Sequence, residues 1–231
     1  MIRFATRYAK MQVFAFAYGV LFDIVTAILL GFIISPFLGI FFGIISLPIT
    51  SFMLLFFRDP IRKADRETIS INEFVCPADG TITDISKLDE PKVGGRALKI
   101  GIFMSIFDVH VNRCPCYGKV VEKIHTPGEF LDARSPESSL RNERNDLIIA
   151  PKYDPIRPLP EKIIVRQIAG LIAKRIVCDV NIGEELKAGE RFGMIKFGSR
   201  VELIIPVEPK ADIKVKIGQK VKAGNDILLV Y

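Results

Sequence analysis

Residues 192–206 read FGMIKFGSRVELIIP, and the fold of the chain is decided there. Two alternating apolar runs, Met194-Ile195-Lys196-Phe197 and Val201-Glu202-Leu203-Ile204-Ile205, flank the dipeptide Gly198-Ser199. A period of two places successive side chains on opposite faces of an extended chain, so the pattern predicts strand, turn, strand. Glycine at the turn admits φ > 0, or a close approach to its carbonyl that a side chain would obstruct. The simplest reading of Gly198-Ser199 is a hairpin corner.

Working outward, Ile182-Gly183-Glu184-Glu185-Leu186-Lys187-Ala188-Gly189 recurs 35 residues later as Ile217-Gly218-Gln219-Lys220-Val221-Lys222-Ala223-Gly224. Two copies are too few for a solenoid. They fit a mainly β domain, a sandwich or barrel hybrid with paired hammerhead-like repeats of the kind seen in biotinyl and lipoyl carriers, with Gly198-Ser199 on the link between the copies. Upstream, residues 69–75 and 81–85 predict strands on either side of the turn Pro77-Ala78-Asp79-Gly80, where Asp79 is suited to turn formation. Residues 98–111 form a mainly apolar stretch. Residues 129–160, rich in charge, Ser and Pro, predict a long surface excursion. Residues 163–176 begin like a strand and continue through Gln167.

The first quarter is different in kind. Between residues 12 and 57 the single charged side chain is Asp23. One membrane crossing takes roughly 20 residues, so the block is long enough for two. Ser35-Pro36 supplies the break, which predicts helices at about 12–34 and 37–57 and a division into an anchor, 1–66, and a β-rich catalytic domain, 67–231. Residues 1–66 hold seven Lys and Arg against three Asp, and these bases lie at both ends of the apolar block. That places both ends of a transmembrane hairpin in the cytoplasm, with the catalytic domain on the cytoplasmic face of the cell membrane. The net charge of +6 is concentrated there, which suits anionic lipid heads and argues against nucleic acid. No small-residue cleavage site follows a short apolar core, so a signal peptide is not expected.

The chain contains two histidines, His110 and His125, and imidazole chemistry near neutral pH must use one of them. In an extended segment Asp108 and His110 share a face. Asn142-Glu143-Arg144-Asn145 could hold a phosphate or remain a solvated charge run. The four cysteines lack zinc spacing, and no metal is expected. Ser199 lacks the G-x-S-x-G setting of a serine hydrolase elbow. A membrane-anchored, non-catalytic adaptor or carrier is the alternative reading, although Lys187-Ala188 and Lys222-Ala223 lack the full context of a biotinylated or lipoylated lysine.

Taken in order, FFRDPIR, PADG, FDVHVNRCP, PGEFLDA, NERN, VRQIAGLIAKRI and KFGSRVE resemble the short-type phosphatidylserine decarboxylase proenzymes, over roughly residues 56–206. The resemblance implies a self-processing lyase of phospholipid biosynthesis that makes its own cofactor. Ser199 Oγ would attack the Gly198 carbonyl and convert amide to ester. β-Elimination and hydrolysis would then leave a pyruvoyl group at 199, giving a β chain of 1–198 and an α chain of 33 residues as a heterodimer, with higher assembly left open. Serine is a weak nucleophile and needs a base. The family's Asp–His pair maps onto Asp79 and His110, with Asp79 orienting the imidazole. The pyruvoyl group would form a Schiff base with phosphatidylserine and serve as electron sink while CO2 leaves, yielding phosphatidylethanolamine. His125, Asn142, Arg144 and Gln167 are the weaker candidates for substrate contact. Longer members of the family carry a second histidine where this chain has Arg113. Either His110 then serves both self-cleavage and decarboxylation, or Arg113 or His125 takes one of the roles.

Overall fold

The computed structural model describes all residues except 1, 5, 34, 172–174 and 197–198, and excludes the side chains of residues 2–16 and of seven further helical positions, Asp23 among them. The chain forms two compact units, Met1–Pro60 and Ile61–Tyr231.

The first unit consists of β1 (Ile2–Phe4), α1 (Thr6–Ile33), α2 (Pro36–Phe56) and β2 (Arg58–Pro60). Ser35 Oγ accepts a hydrogen bond from the Phe37 amide at 3.3 Å and caps α2. Pro36 sits at the first helical position, where its missing N–H leaves no bond unmade. β1 and β2 pair antiparallel, Ile2 opposite Pro60, and close the base of the helical hairpin. The break at Ser35-Pro36 falls where the sequence placed it, and α1 begins before the uncharged block because Arg7 and Lys10 are good helix formers. Among the described residues, no helix is long and apolar enough to cross a membrane. Two helices lie where they were expected, but the transmembrane hairpin read from hydropathy is not supported by them.

The second unit is mainly β. Its elements are β3 (Glu73–Val75), β4 (Gly80–Glu90), β5 (Gly95–Met104), β6 (Val111–Arg113), β7 (Gly118–Thr126), α3 (Ser138–Arg141), β8 (Arg144–Pro151), β9 (Ile163–Ile168), β10 (Ile176–Cys178), β11 (Glu185–Leu186), β12 (Arg191–Ile195), β13 (Ser199–Pro206), β14 (Asp212–Ile213), β15 (Lys220–Val221) and β16 (Ile227–Val230), with two 3-10 turns. An eight-stranded sheet runs β11-β7-β8-β9-β13-β5-β4-β15, and two three-stranded sheets run β10-β12-β6 and β14-β16-β3. The two repeat copies supply β11 and β15, the opposite edges of the large sheet, and β13 lies near its middle.

The hairpin expected around Gly198-Ser199 does not form. β12 pairs with β10 and β6, whereas β13 pairs with β5 and β9 in another sheet. Two alternating runs specify two strands but not their partners, and here the chain changes sheets between them. Along β13 the alternation is satisfied on both faces. Val201, Leu203 and Ile205 enter the main core with Phe192, Ile102 and Leu147, each worth about 1.5–3 kcal/mol when buried. Ile204 joins a second cluster with Ala97, Ile148 and Ile164 on the other face. Two further expectations are corrected. Residues 129–160 are not all surface, because β8 lies within them and its run Leu147-Ile148-Ile149 is buried on both faces; a doubly buried strand loses the alternation that would reveal it. Asp108 closes a turn that begins at Ser105, and Val109-His110 lies outside any strand before β6, so the segment is not the continuous strand on which Asp108 and His110 would share a face.

Candidate active site

Ser199 opens β13 opposite Met104, the last residue of β5. Both are fully buried. The Ser199 hydroxyl donates to Met104 Sδ at 3.4 Å. A thioether is a weak acceptor that cannot take the proton, so the serine is dry and only lightly held.

His110 lies on the loop between β5 and β6. The Asp108 carboxylate pins that loop by accepting from the Ser105 amide and hydroxyl, both at 2.8 Å. His110 Nδ1 lies 2.9 Å from the Asp108 carbonyl oxygen. A carbonyl can only accept, so Nδ1 carries the proton and Nε2 is the basic nitrogen of the neutral ring. At one end of the loop Met104 pairs with Ser199; at the other Val111 pairs with Met194, and the Ile195 amide donates to the His110 carbonyl at 3.4 Å. The loop that carries His110 is thus stitched to the strands on both sides of Phe197-Gly198. Gly198, the expected acyl partner in cleavage, lies outside the described residues.

Asp79 occupies the bend before β4 and is nearly buried. Its Oδ2 accepts from Arg62 Nη2 at 2.6 Å and its Oδ1 from the Ala223 amide at 2.8 Å. Burial pushes its carboxyl above the ordinary carboxylate value, and the Arg62 charge and the amide draw it part of the way back. Among the described contacts, Asp79 is held by Arg62 and the Ala223 amide, and the Asp108 carbonyl lies on His110 Nδ1. Arg62, grouped by sequence with the basic flank of the anchor, is buried on Asp79. Arg113 is also committed: its guanidinium donates to both Asp65 oxygens at 3.1 Å and to the Gly189 carbonyl at 2.9 Å. It is a brace between loops.

The weaker candidates separate. Gln167 is fully buried and bonded to Asn112, whose side chain reaches the same Met104 sulfur as Ser199. Asn142 staples a loop, with its Oδ1 accepting from the Leu131 amide and its Nδ2 donating to the Leu131 and Ala169 carbonyls. Arg144 donates to the Leu140 carbonyl and keeps Nε buried without a partner. His125 is exposed on β7, facing Asn145 of β8 in register. Sequence reasoning missed Met104, Asn112 and Lys196, whereas Asn145 closes the Asn142–Asn145 run it had named as a candidate phosphate holder. The spacing of His110 and Asn112 is a signal that could have pointed to Asn112.

Lys196 follows β12 and is buried. Its amide donates to the Arg175 carbonyl at 3.3 Å, continuing the β10–β12 register and setting two cations across from one another. Burial, and then the Arg175 charge, lower the Lys196 pKa. Among the described residues no carboxylate pairs with it. Like charges directly opposite on paired strands are destabilising, so the arrangement suits an anion.

A cleft of about 420 Å³ opens beside the end of β5, lined by Phe103, Ser105, Ile106, Asp132, Arg134 and Leu171 among others. Larger surface clefts of about 610 and 800 Å³ lie at Tyr117 and Lys187 and at Gly94 and Pro209, and none of the side chains around Ser199 lines them.

A buried serine held by a sulfur, with a histidine-bearing loop tied to the same strand ends, is matched by sequence. The sequence model of the phosphatidylserine decarboxylase family covers residues 49–229. The chain belongs to the phosphatidylserine decarboxylase family. It is 41% identical over 205 residues to the phosphatidylserine decarboxylase proenzyme of Pelobacter propionicus, covering 89% of this chain and 88% of that one. Identity is 43% over 179 residues with the proenzyme of Nitrosomonas eutropha, 78% of each chain, and 42% over 198 residues with that of Pelagibacter ubique, 83% and 85%. For a phosphatidylserine decarboxylase, a pyruvoyl group at 199 fits the surroundings described above. Among the described residues the hydroxyl that would be lost bonds to a thioether alone, so its removal strands no strong donor or acceptor there.

Proposed function

We propose that this chain decarboxylates phosphatidylserine to phosphatidylethanolamine after cutting itself between Gly198 and Ser199. The observation that carries the reading is Ser199 itself, fully buried at the start of β13, with its hydroxyl on a sulfur and beside the anchored His110 loop. His110 Nε2 takes the Ser199 proton as Oγ attacks, and Asp108 holds the ring in the tautomer that permits it. The Asp79–Arg62 pair fixes the bend before β4 and ties it to Ala223 of the second repeat copy. Asp79 therefore acts on the site through the position of these loops.

A pyruvoyl group at 199 would supply a ketone conjugated to an amide, an acceptor for the substrate amine and for the electrons released with CO2. The chain's residues do the rest. Dry surroundings at Ser199 exclude water, and in this reading His110 returns a proton to the substrate carbon. Lys196 with Arg175 offers positive charge to the anionic headgroup, and the cleft beside Phe103 and Leu171 gives an apolar edge for the lipid. The helical hairpin attaches the enzyme to the bilayer. Its apolar side chains are broadly exposed within that unit, Phe32 at 92% and Phe37 at 83%, as a lipid-facing surface requires.

Ser199→Ala tests the reading on a denaturing gel and by CO2 release from serine-labelled lipid. The wild-type chain is expected to yield a 33-residue fragment and CO2, and the variant neither. An uncleaved variant that still releases CO2 would overturn the mechanism.

A further inference from the structure

Three side-chain amides stand in line behind Ser199. Asn145 Nδ2 donates to Gln167 Oε1 at 3.1 Å, and Gln167 Nε2 donates to Asn112 Oδ1 at 2.8 Å and to the Val177 carbonyl at 3.2 Å. The Val177 contact fixes the direction of the line. A carbonyl accepts only, so the nitrogen end of Gln167 faces both Val177 and Asn112. Asn112 must then present its oxygen to Gln167 and its NH2 group to the far side. Glycine at 193 makes this approach possible, since a Cβ there would lie 2.2 Å from the Val177 oxygen and 3.1 Å from Gln167 Nε2.

On the far side the partner of Asn112 Nδ2 is Met104 Sδ at 3.9 Å, the sulfur that also receives the Ser199 hydroxyl at 3.4 Å. Asn112 is fully buried. A line of amides is therefore spent on aiming one NH2 group at a weak acceptor beside the reacting atom. Such a donor gains most when a charged acceptor takes the sulfur's place, because hydrogen bonds to ionised oxygens are roughly twice as strong as neutral ones.

We infer that the Asn112 side chain donates a hydrogen bond to the carboxylate that leaves Cβ of residue 199 during self-cleavage. The inference rests on Ser199 being the cleavage nucleophile. After the acyl shift, Oγ bridges the Gly198 carbonyl carbon and Cβ. A base then removes the α-hydrogen of residue 199, and the C–H electron pair forms the Cα=Cβ double bond. The Cβ–Oγ bond breaks and its electron pair stays on Oγ, now one of the two oxygens of the new Gly198 carboxylate. The charge thus develops on the oxygen whose partner sulfur Asn112 already touches. Gln167 and Asn145 act as positioning residues for that donor.

The test compares precursor chains made by cell-free synthesis and followed over time. Asn112→Asp keeps an oxygen for Gln167 and loses the donor; Asn112→Leu loses the donor without adding charge. Either variant, once a cooperative melt shows it folded, is expected to cleave at least ten-fold more slowly than wild type. It should also accumulate a full-length chain that hydroxylamine splits at 198–199 to leave an intact serine end, the mark of an ester awaiting elimination. A folded variant that cleaves at the wild-type rate overturns the assignment, as does a slow variant that hydroxylamine cannot split, which would be blocked before the ester. Wild type serves as the separate control: if it releases no 33-residue fragment, self-cleavage itself fails, whereas a cleaving wild type beside an equally fast Asn112→Leu overturns the role of Asn112 alone.

Discussion

On one face of β13, Arg200 and Glu202 sit in a lattice of charges; on the other, Ser199 touches a thioether and Asn112 shares it. Arg200 Nε donates to Glu202 at 2.8 Å, its Nη1 to Thr83 at 3.0 Å, and its Nη2 pairs with Asp84. Glu202 also accepts from Ser139 at 2.6 Å, and Arg166 holds Asp146 through two nitrogens and Glu90 through one. Glycine at 101 leaves room for the Arg200–Asp84 contact, where a Cβ would lie 2.2 Å from Arg200 Nη2. These groups lie on β13 and β9, on β4 and β8 one strand farther out in the same sheet, and on α3. The difference shows how a reactive residue is held within a rigid sheet. Position is fixed by strong, nearly saturated contacts on the face that does no chemistry, and the reactive face keeps weak contacts that can be exchanged as charge appears.

This division can be broken from either side. The largest effect is expected from Arg200→Met made in the Ser199→Ala precursor, so that cleavage does not confuse the measurement. It leaves Glu202 and Asp84 without their main cation, and thermal or denaturant unfolding should show a loss of about 3–5 kcal/mol; a loss below about 1 kcal/mol would mean the lattice does not hold β13. Lys196→Met should come next, raising KM for phosphatidylserine about ten-fold, on the order of 1.4 kcal/mol, with a smaller change in kcat and with cleavage intact. An unchanged KM would remove Lys196 from headgroup recognition. Met104→Leu should cost less than about 1.5 kcal/mol, and the chain should still cleave, because the sulfur cannot be the base. Failure to cleave would give Met104 an aiming role.

The smallest effect concerns acid stability. Burial raises the Asp65 carboxyl, but the hydrogen bond and charge of Arg113, the Arg62 amide and the Arg191 charge outweigh it and hold the group at about 2, below its ordinary 3.8. A carboxylate whose folded pKa is depressed contributes stability above its unfolded pKa and loses it as pH falls through the folded value. Wild type should therefore lose this contribution between about pH 4 and pH 2, and Asp65→Asn should lack that part of the acid limb. Unfolding curves at several pH values that coincide in slope would refute it.

The strands around Ser199 were legible because Met194–Phe197 and Val201–Ile205 alternate, and the helical hairpin was legible because Ser35-Pro36 interrupts an uncharged block. What alternation does not carry is the partner. Nothing local in residues 192–206 says that the first strand joins Val177 and the second Met104, so a hairpin was expected where the chain changes sheets. The run Leu147–Ile149 was lost between charged neighbours because burial on both faces removes its period. At the site, Ser199 and His110 stood out by residue type and motif. Met104, Asn112 and the Arg62 contact of Asp79 did not, since each depends on a residue brought across from a distant strand or loop.

The central claim is that the working protein has no serine at 199. Mass spectrometry of the 33-residue C-terminal chain measures it directly. The expected chain resists N-terminal degradation and is lighter than the serine-ended peptide by one ammonia, the mass of a pyruvoyl group in place of serine. An active preparation whose residue 199 carries the full mass of serine, on a free amino terminus or within an uncut chain, would contradict the account.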